Sequence, residues 1–315
     1  MIIFYNIVFV GNIPKIPIRP NFPVSYFEDF SANDIEKYWI PTSEINYTAI
    51  WHIEDTYEPI SFPNEKALVM KSKTGYGAVS TKLKSPISFQ NKTFILQYEM
   101  RPEIGLSCTG TYIKLFSDPN FNEDTLTNKT PFTIMFGPDK CGTASNKIQF
   151  IWNYYHQKHK HYIEKQLKEP PHFPTDPYNH LYTLIIRSDN SYSILLDNIM
   201  AKNGSLFFDF NPPLEKRLID DPNDKKPNNF KGNWKPRKIK NPYYIVDLKM
   251  NELSPITALG FEILVNNRDI AFMNILIAHD EKAVMQWNKD NFLVRQKLQK
   301  ERYFTTKSKD RSFDL

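Results

Sequence analysis

The stretch TPFTIMFGPDKCGT spans Thr130 to Thr143. Phe132 to Phe136 is an apolar run of strand length, and it ends on Gly137-Pro138-Asp139, residues that favour turns. Cys141, one of only two cysteines in the 315-residue chain, follows at once. The pattern predicts a buried strand that stops at a tight turn beside a scarce thiol.

Further strands lie on either side. In KTFILQYEMR (Lys92–Arg101), Phe94, Leu96, Tyr98 and Met100 alternate onto one face. TYIKLF precedes the opening stretch and NKIQFIWNYY follows it. HLYTLIIRS and SYSILLDN flank Asp189-Asn190, which reads as a hairpin turn. ALGFEILVN and IAFMNILIAHD add two late strands. Many strands at short spacing, with no helical pattern between them, imply an all-β antiparallel sandwich.

Hydrophobic residues make up 41% of the chain, enough for one large core or two smaller ones. The net charge of +5 comes from scattered lysines. Nucleic-acid recognition needs Lys and Arg gathered on one face, so no nucleic-acid partner is expected. No apolar run reaches the roughly 18–20 residues that span a bilayer, so no membrane span is expected.

The N-terminus, MIIFYNIVFVG, has the length of a signal-peptide core but contains Asn6 and lacks a positive leading region. Residues 1–20 are a candidate signal segment, with a first β-strand as the equal alternative. Cys108 and Cys141 fit two reduced thiols in a reducing compartment, or one bridge in an oxidising one. Four N-x-S/T sequons begin at Asn46, Asn91, Asn128 and Asn203.

The sandwich is expected over residues 21–290, interrupted at 213–242. There the chain is rich in Pro, Asp, Asn and Lys and too poor in apolar residues for a core of its own. From Glu281 to about Phe304 the pattern is helical, with Asp280 as N-cap. Ala283, Val284 and Trp287 form its apolar face, and Leu298 extends that face after a break near Asn291. Residues 291–315 are therefore read as a C-terminal helix followed by a disordered tail beyond Thr305.

TIMFGPDKCG, HLYTLII, IDDPNDKKP and NWKPRKIKNP occur in this order. In these motifs the chain resembles the calnexin and calreticulin family of lectin chaperones. The resemblance is firm from Phe94 to Asn241 and usable to Asp280. Before Phe94, SYFEDF and KALVMKSK are the best pieces. It implies a concanavalin-like jelly-roll sandwich with a proline-rich arm, here reduced to a vestige. It also implies a disulfide between Cys108 and Cys141, residence in the endoplasmic reticulum lumen, and no enzymatic activity. The implied ligand is the monoglucosylated N-glycan of unfolded glycoproteins.

Carried over by motif, the carbohydrate-binding residues are Tyr112, Lys114, Phe132, Met135, Asp139, Glu164 and Glu262. Phenol, ammonium and carboxylates orient sugar hydroxyls, while Met135 offers an apolar face to the ring. Three departures predict weakened affinity. Phe132 stands for a tyrosine, Leu264 for a stacking tryptophan, and Thr109 for a glycine. Apart from the family, Tyr112, Phe132 and Met135 fit a core equally well, and Glu164 and Glu262 fit ordinary surface acids.

The family's calcium site uses an aspartate where this chain has Met273, with Asp29 and Glu65 near other ligand positions. A thioether is a poor calcium ligand, so no tight calcium site and no cofactor are expected. One copy each of the IDDP-type and NWKP-type repeats survives, so recruitment of a thiol-disulfide isomerase through the arm is not expected. His156, His159 and His161 match no standard zinc spacing and read as a solvated loop. A glycosidase pair among Asp139, Glu164 and Glu262 is disfavoured because Lys114 would hold nearby acids ionised. The alternative function is a glycan-independent, polypeptide-binding chaperone or scaffold on the same fold.

Overall fold

In a computed structural model, residues 19–31, 35–56, 65–71, 75–89, 91–103, 105–156, 160–213, 215–242, 244, 253–266 and 269–310 are described. Most of the candidate signal segment and His159 lie outside them. The strands are, in chain order, β1 (Val24–Glu28), β2 (Ile40–Pro41), β3 (Trp51–Asp55), β4 (Lys66–Met70), β5 (Gly75–Ile87), β6 (Phe94–Pro102), β7 (Cys108–Gly110), β8 (Ile113–Phe116), β9 (Ile134–Cys141) and β10 (Ser145–His156). They continue with β11 (His161–Leu167), β12 (His180–Ile186), β13 (Ser191–Leu196), β14 (Ile199–Ser205), β15 (Phe210–Asn211), β16 (Leu218–Asp220), β17 (Lys238–Lys240), β18 (Ile256–Val265) and β19 (Ile270–Ala278). The helices are α1 (Ile35–Tyr38), α2 (Glu281–Asp290) and α3 (Phe292–Asp310).

Two antiparallel sheets form the sandwich. One runs β14-β13-β12-β6-β19-β4-β3, with β1 on β19. The other runs β15-β11-β10-β9-β8-β18-β5-β2, with β7 on β9. This is the all-β sandwich inferred from strand spacing, closed by a C-terminal helical segment. Phe94, Leu96, Tyr98 and Met100 all join the central core, as their alternation required, and Tyr98 meets Phe261 and Phe272 there. Asp189-Asn190 turns the β12–β13 hairpin. A second turn, Asp197-Asn198, links β13 to β14 with both residues at positive φ, the geometry of a two-residue hairpin loop.

The whole of β6 is buried because α2 and α3 cover the outer face of its sheet. Asp280 caps α2, its carboxylate accepting from the Ala283 N–H at 3.0 Å. Val284 and Trp287 pack on Ile95, Ile185 and Leu276. The helices break at Asn291, where the apolar pattern lapses. Beyond it Phe292 is buried, but the apolar face does not extend to Leu298 as expected. Leu298 is only half-buried, and α3 buries Arg295, Gln296 and Gln299 instead. The helix continues to Asp310, past the Thr305 at which the sequence pattern gives out.

The strand in the opening stretch also differs from its reading. β9 runs straight through Gly137-Pro138-Asp139, and the chain turns over Gly142–Ala144. Gly137 and Pro138 lie opposite Thr111 and Tyr112, where β9 changes partner from β8 to β7. Proline's missing N–H therefore interrupts no regular ladder. Gly137 has φ 139°, and a methyl group there would overlap the Tyr98 hydroxyl. That hydroxyl donates to the Thr111 carbonyl at 2.6 Å.

Residues 217–241 fold back as a short hairpin, β16 against β17. Arg237 pairs with Asp221 at 2.6 Å, and Trp234 packs edge-on to Phe230. At its base, buried Lys165 donates to the carbonyls of Pro212 and Pro213. His156 and His161 are not a solvated loop: they face each other at the ends of β10 and β11, and His156 is buried.

His180, also buried, bridges Asp176 at 2.9 Å and Asp197 at 2.7 Å. Burial alone would lower its pKa, but the hydrogen bonds and charges of the two aspartates prevail and raise it to about 9. A folded-state pKa above the unfolded value gives stability that is fully present below about pH 6.5 and lost as pH rises through about 9. The melting temperature should fall across that window by more in the wild type than in His180→Gln. Parallel pH–melting curves for the two proteins would contradict this.

Candidate functional site

The site lies on the outward face of the second sheet. Ile113, Leu115, Ile134, Phe136 and Phe261 point into the core. Their sequence neighbours Tyr112, Lys114, Met135 and Glu262 therefore point the other way. In register, Lys114 sits between Gly260 on β18 and Met135 on β9, and Met135 is followed by Ile151 on β10. Tyr112 lies just before β8, its ring lying over Gly110, where a side chain would collide with it.

Lys114 and Glu262 form an ion pair of 2.7 Å, each side chain 5% exposed. The ammonium also stands 5.4 Å from the Phe132 ring and 5.8 Å from the Tyr112 ring, within cation–π range. The other Glu262 oxygen accepts from the Tyr47 hydroxyl at 3.0 Å. Tyr47 in turn accepts from the Asn128 N–H at 2.6 Å. Burial, then the charges of Glu262 and Asp139, push the Tyr112 phenol up to about 12, so it remains a donor at neutral pH.

Five of the seven residues read from the sequence, Tyr112, Lys114, Phe132, Met135 and Glu262, thus gather around one ion pair. Phe132 leans on a small apolar cluster that includes Phe116, Phe121 and Leu126. Asp139 lies further along β9, accepting from the Gln149 amide at 3.4 Å. Glu164 is exposed on β11, opposite Asn153 and on the same face, with β9 and β10 between it and Lys114. At about 4.8 Å per strand, three steps separate them. Thr109 is accommodated where a glycine was expected, its hydroxyl donating to the Leu264 carbonyl at 2.8 Å. Leu264 itself is 45% exposed. Tyr47 was not legible: it comes from an irregular segment 215 residues before Glu262.

Cys108 and Cys141 face each other across β7 and β9 and are joined by a disulfide. The bridge closes a 33-residue separation around β8, which carries Lys114. Loop-closure entropy puts its contribution at roughly 3–4 kcal/mol. The double variant Cys108→Ala/Cys141→Ala should lose about that much in urea unfolding, and a loss under 1 kcal/mol would contradict the assignment.

The residues do not suit the calcium site considered above. Met273 is buried among Ala67, Val69 and Ala271. Glu65 is taken by Arg295, and Asp29 by Arg19 at 3.1 Å. Among the described residues no group of three His, Cys, Asp or Glu is placed to hold a metal, and no helix is long and apolar enough to cross a membrane. A cavity of about 600 Å³ lies between β1 and β5, lined by Tyr26, Glu28, Lys82 and Lys84, and shares no residue with the Lys114 cluster.

Two antiparallel sheets packed face to face and covered on one side by a C-terminal helical segment define a β-sandwich protein. The chain belongs to the calreticulin family, whose model matches residues 26–231 and 228–277. The match therefore reaches back to β1 and takes in nearly all of SYFEDF, one of the thinner pieces of the resemblance. A calnexin homolog of Aspergillus fumigatus is 37% identical over 214 residues, covering 64% of this chain and 38% of the relative. Calmegin of Bos taurus is 38% identical over 190 residues, covering 58% and 31%. The chain thus spans well under half the length of these two relatives. The solved T. cruzi calreticulin globular domain superposes with a TM-score of 0.73 at 24% identity, covering 91% of this chain and 99% of that one.

Proposed function

We infer that the chain is a calnexin/calreticulin-like chaperone that binds monoglucosylated N-glycans on unfolded glycoproteins in the endoplasmic reticulum lumen, with reduced sugar affinity. The observation that carries this reading is the buried Lys114–Glu262 pair set among Tyr112, Phe132 and Met135. Glu262 holds one of the ammonium's three N–H donors, and a sugar hydroxyl is suited to another. Tyr112 supplies a phenol and Met135 an apolar surface for the ring's C–H face. Asp139 and Glu164 extend the acceptor set along β9 and β11 toward further sugar units. The chain acts by binding and not by turnover.

Phe132 lacks the hydroxyl that the family pattern supplies. One missing sugar hydrogen bond costs on the order of 1–3 kcal/mol, about tenfold or more in affinity. Calorimetric titration with a monoglucosylated oligomannose should therefore give weak binding to the wild type and at least about tenfold tighter binding to Phe132→Tyr. Equal affinities would sink the weakening. No heat with either protein would favour the second reading, a glycan-independent chaperone or scaffold, which the exposed Leu264 supports.

The short 217–241 hairpin is the counterpart of the family's arm. It is not expected to recruit a disulfide isomerase, so a segment of residues 213–242 should recover none in a pull-down.

A further inference from the structure

Tyr47 joins two of the four sequons to the site. Asn46 precedes it in Asn46-Tyr47-Thr48, and Asn128, in Asn128-Lys129-Thr130, donates its backbone N–H to the Tyr47 hydroxyl. The same hydroxyl donates to Glu262. Two hydrogen bonds therefore connect Asn128 to the carboxylate that holds Lys114. The side chains of Asn46 and Asn128 are both exposed. The other two sequons lie elsewhere, Asn91 in the turn before β6 and Asn203 on β14, an edge strand of the opposite sheet.

We propose that Asn46 and Asn128 are acceptor sites for N-glycosylation, and that their glycans stand over the Glu262 end of the groove and restrict access to Lys114, Tyr112 and Met135. This rests on the luminal reading given above. The donor is a lipid-diphosphate-linked oligosaccharide. The asparagine Nδ2 attacks the anomeric carbon of the first sugar, a C–N bond forms, and the C–O bond to the diphosphate breaks. Nδ2 gives up one proton, and the lipid diphosphate leaves with the electron pair, so nothing is oxidised or reduced. A glycan is flexible and sweeps a large volume around its attachment point. Tethered beside the ion pair, it occupies that volume at high effective concentration. The site thereby disfavours bulky partners that approach from the Tyr47 side and admits ligands along β9 and β10.

The test uses the full chain made in the yeast secretory pathway behind a fused leader. Release of N-glycans in heavy-oxygen water marks each occupied asparagine as a labelled aspartate by peptide mass spectrometry. Label at positions 46 and 128 is expected. With the fused leader, absence at both positions while the Cys108–Cys141 bridge has formed overturns the proposal. Absence at all four sequons together with Cys108 and Cys141 recovered as free thiols falls on the luminal reading instead. Hydroxyl-radical labelling then reports the covering without requiring sugar binding. Tyr112 and Met135 should label at least twofold faster in Asn46→Gln/Asn128→Gln than in the glycosylated chain, with Met200 on β14 unchanged. Equal rates at Tyr112 and Met135 would overturn the covering role.

Discussion

Arg295→Ala should lower the free energy of unfolding by roughly 3–5 kcal/mol, the largest effect expected of any single substitution outside the groove. The guanidinium is buried and carries two carboxylates, Glu65 and Glu99, bonding the second with both terminal nitrogens. Asn274 and Asn179 complete the ring around Glu99. Removing the cation leaves these acids inside the protein without a counter-charge. Burial already pushes the Glu65 carboxyl above the usual range, with Arg295 opposing that rise and Glu99 adding to it. Without Arg295 its folded-state pKa rises further, so the variant loses stability as pH climbs above the unfolded carboxylate value. The deficit should therefore shrink between pH 8 and pH 5. Adding Glu99→Gln to the variant should recover part of the loss, because one stranded charge is gone. Urea unfolding followed by tryptophan fluorescence reads the first quantity. Limited proteolysis reads the second, since α3 should detach before the sandwich opens. A deficit under 1 kcal/mol at pH 8, with α3 still protected, would show that polar side chains do not hold this helix.

That helix marks the boundary of what the sequence reveals. Alternation is a local signal, so β6 and the β12–β13 hairpin could be read directly, as could Asp280 as an N-cap. Nothing local marks Arg295, Gln296 and Gln299 for burial, because their partners, Glu65, Glu99, Asn179 and Asp197, are more than 90 positions away in the chain. Gly137-Pro138-Asp139 misled for a related reason. Local turn chemistry is a good guide only where the backbone has no neighbour to satisfy, and here the partner change between β7 and β8 absorbs the irregularity. The site divides along the same line. Lys114, Met135 and Glu262 were available from the family motifs, whereas Tyr47 sits in an irregular stretch and makes its two hydrogen bonds only in the folded chain.

Lys114→Ala is expected to abolish sugar binding and to cost roughly 3 kcal/mol of stability, and the two effects can be separated. The stability loss arises because Glu262, 4% exposed, keeps the Tyr47 hydroxyl but loses the ammonium. Exchanging both partners in Lys114→Met/Glu262→Gln removes both charges while keeping their approximate volume. That double variant should return to within about 1 kcal/mol of the wild type, since replacing a buried pair by neutral groups is often close to neutral. Sugar binding should not return with it, because a thioether and an amide lack the ammonium proposed to meet the sugar hydroxyl. A structural role for Lys114 predicts the opposite pattern, with binding recovering alongside stability. The full cycle, measured by urea unfolding and by titration with the monoglucosylated oligomannose, therefore distinguishes a residue that holds the groove together from one that holds its ligand. If the double variant is stable and still binds, the lysine–glutamate pair is scaffolding and the recognition chemistry lies elsewhere on the sheet.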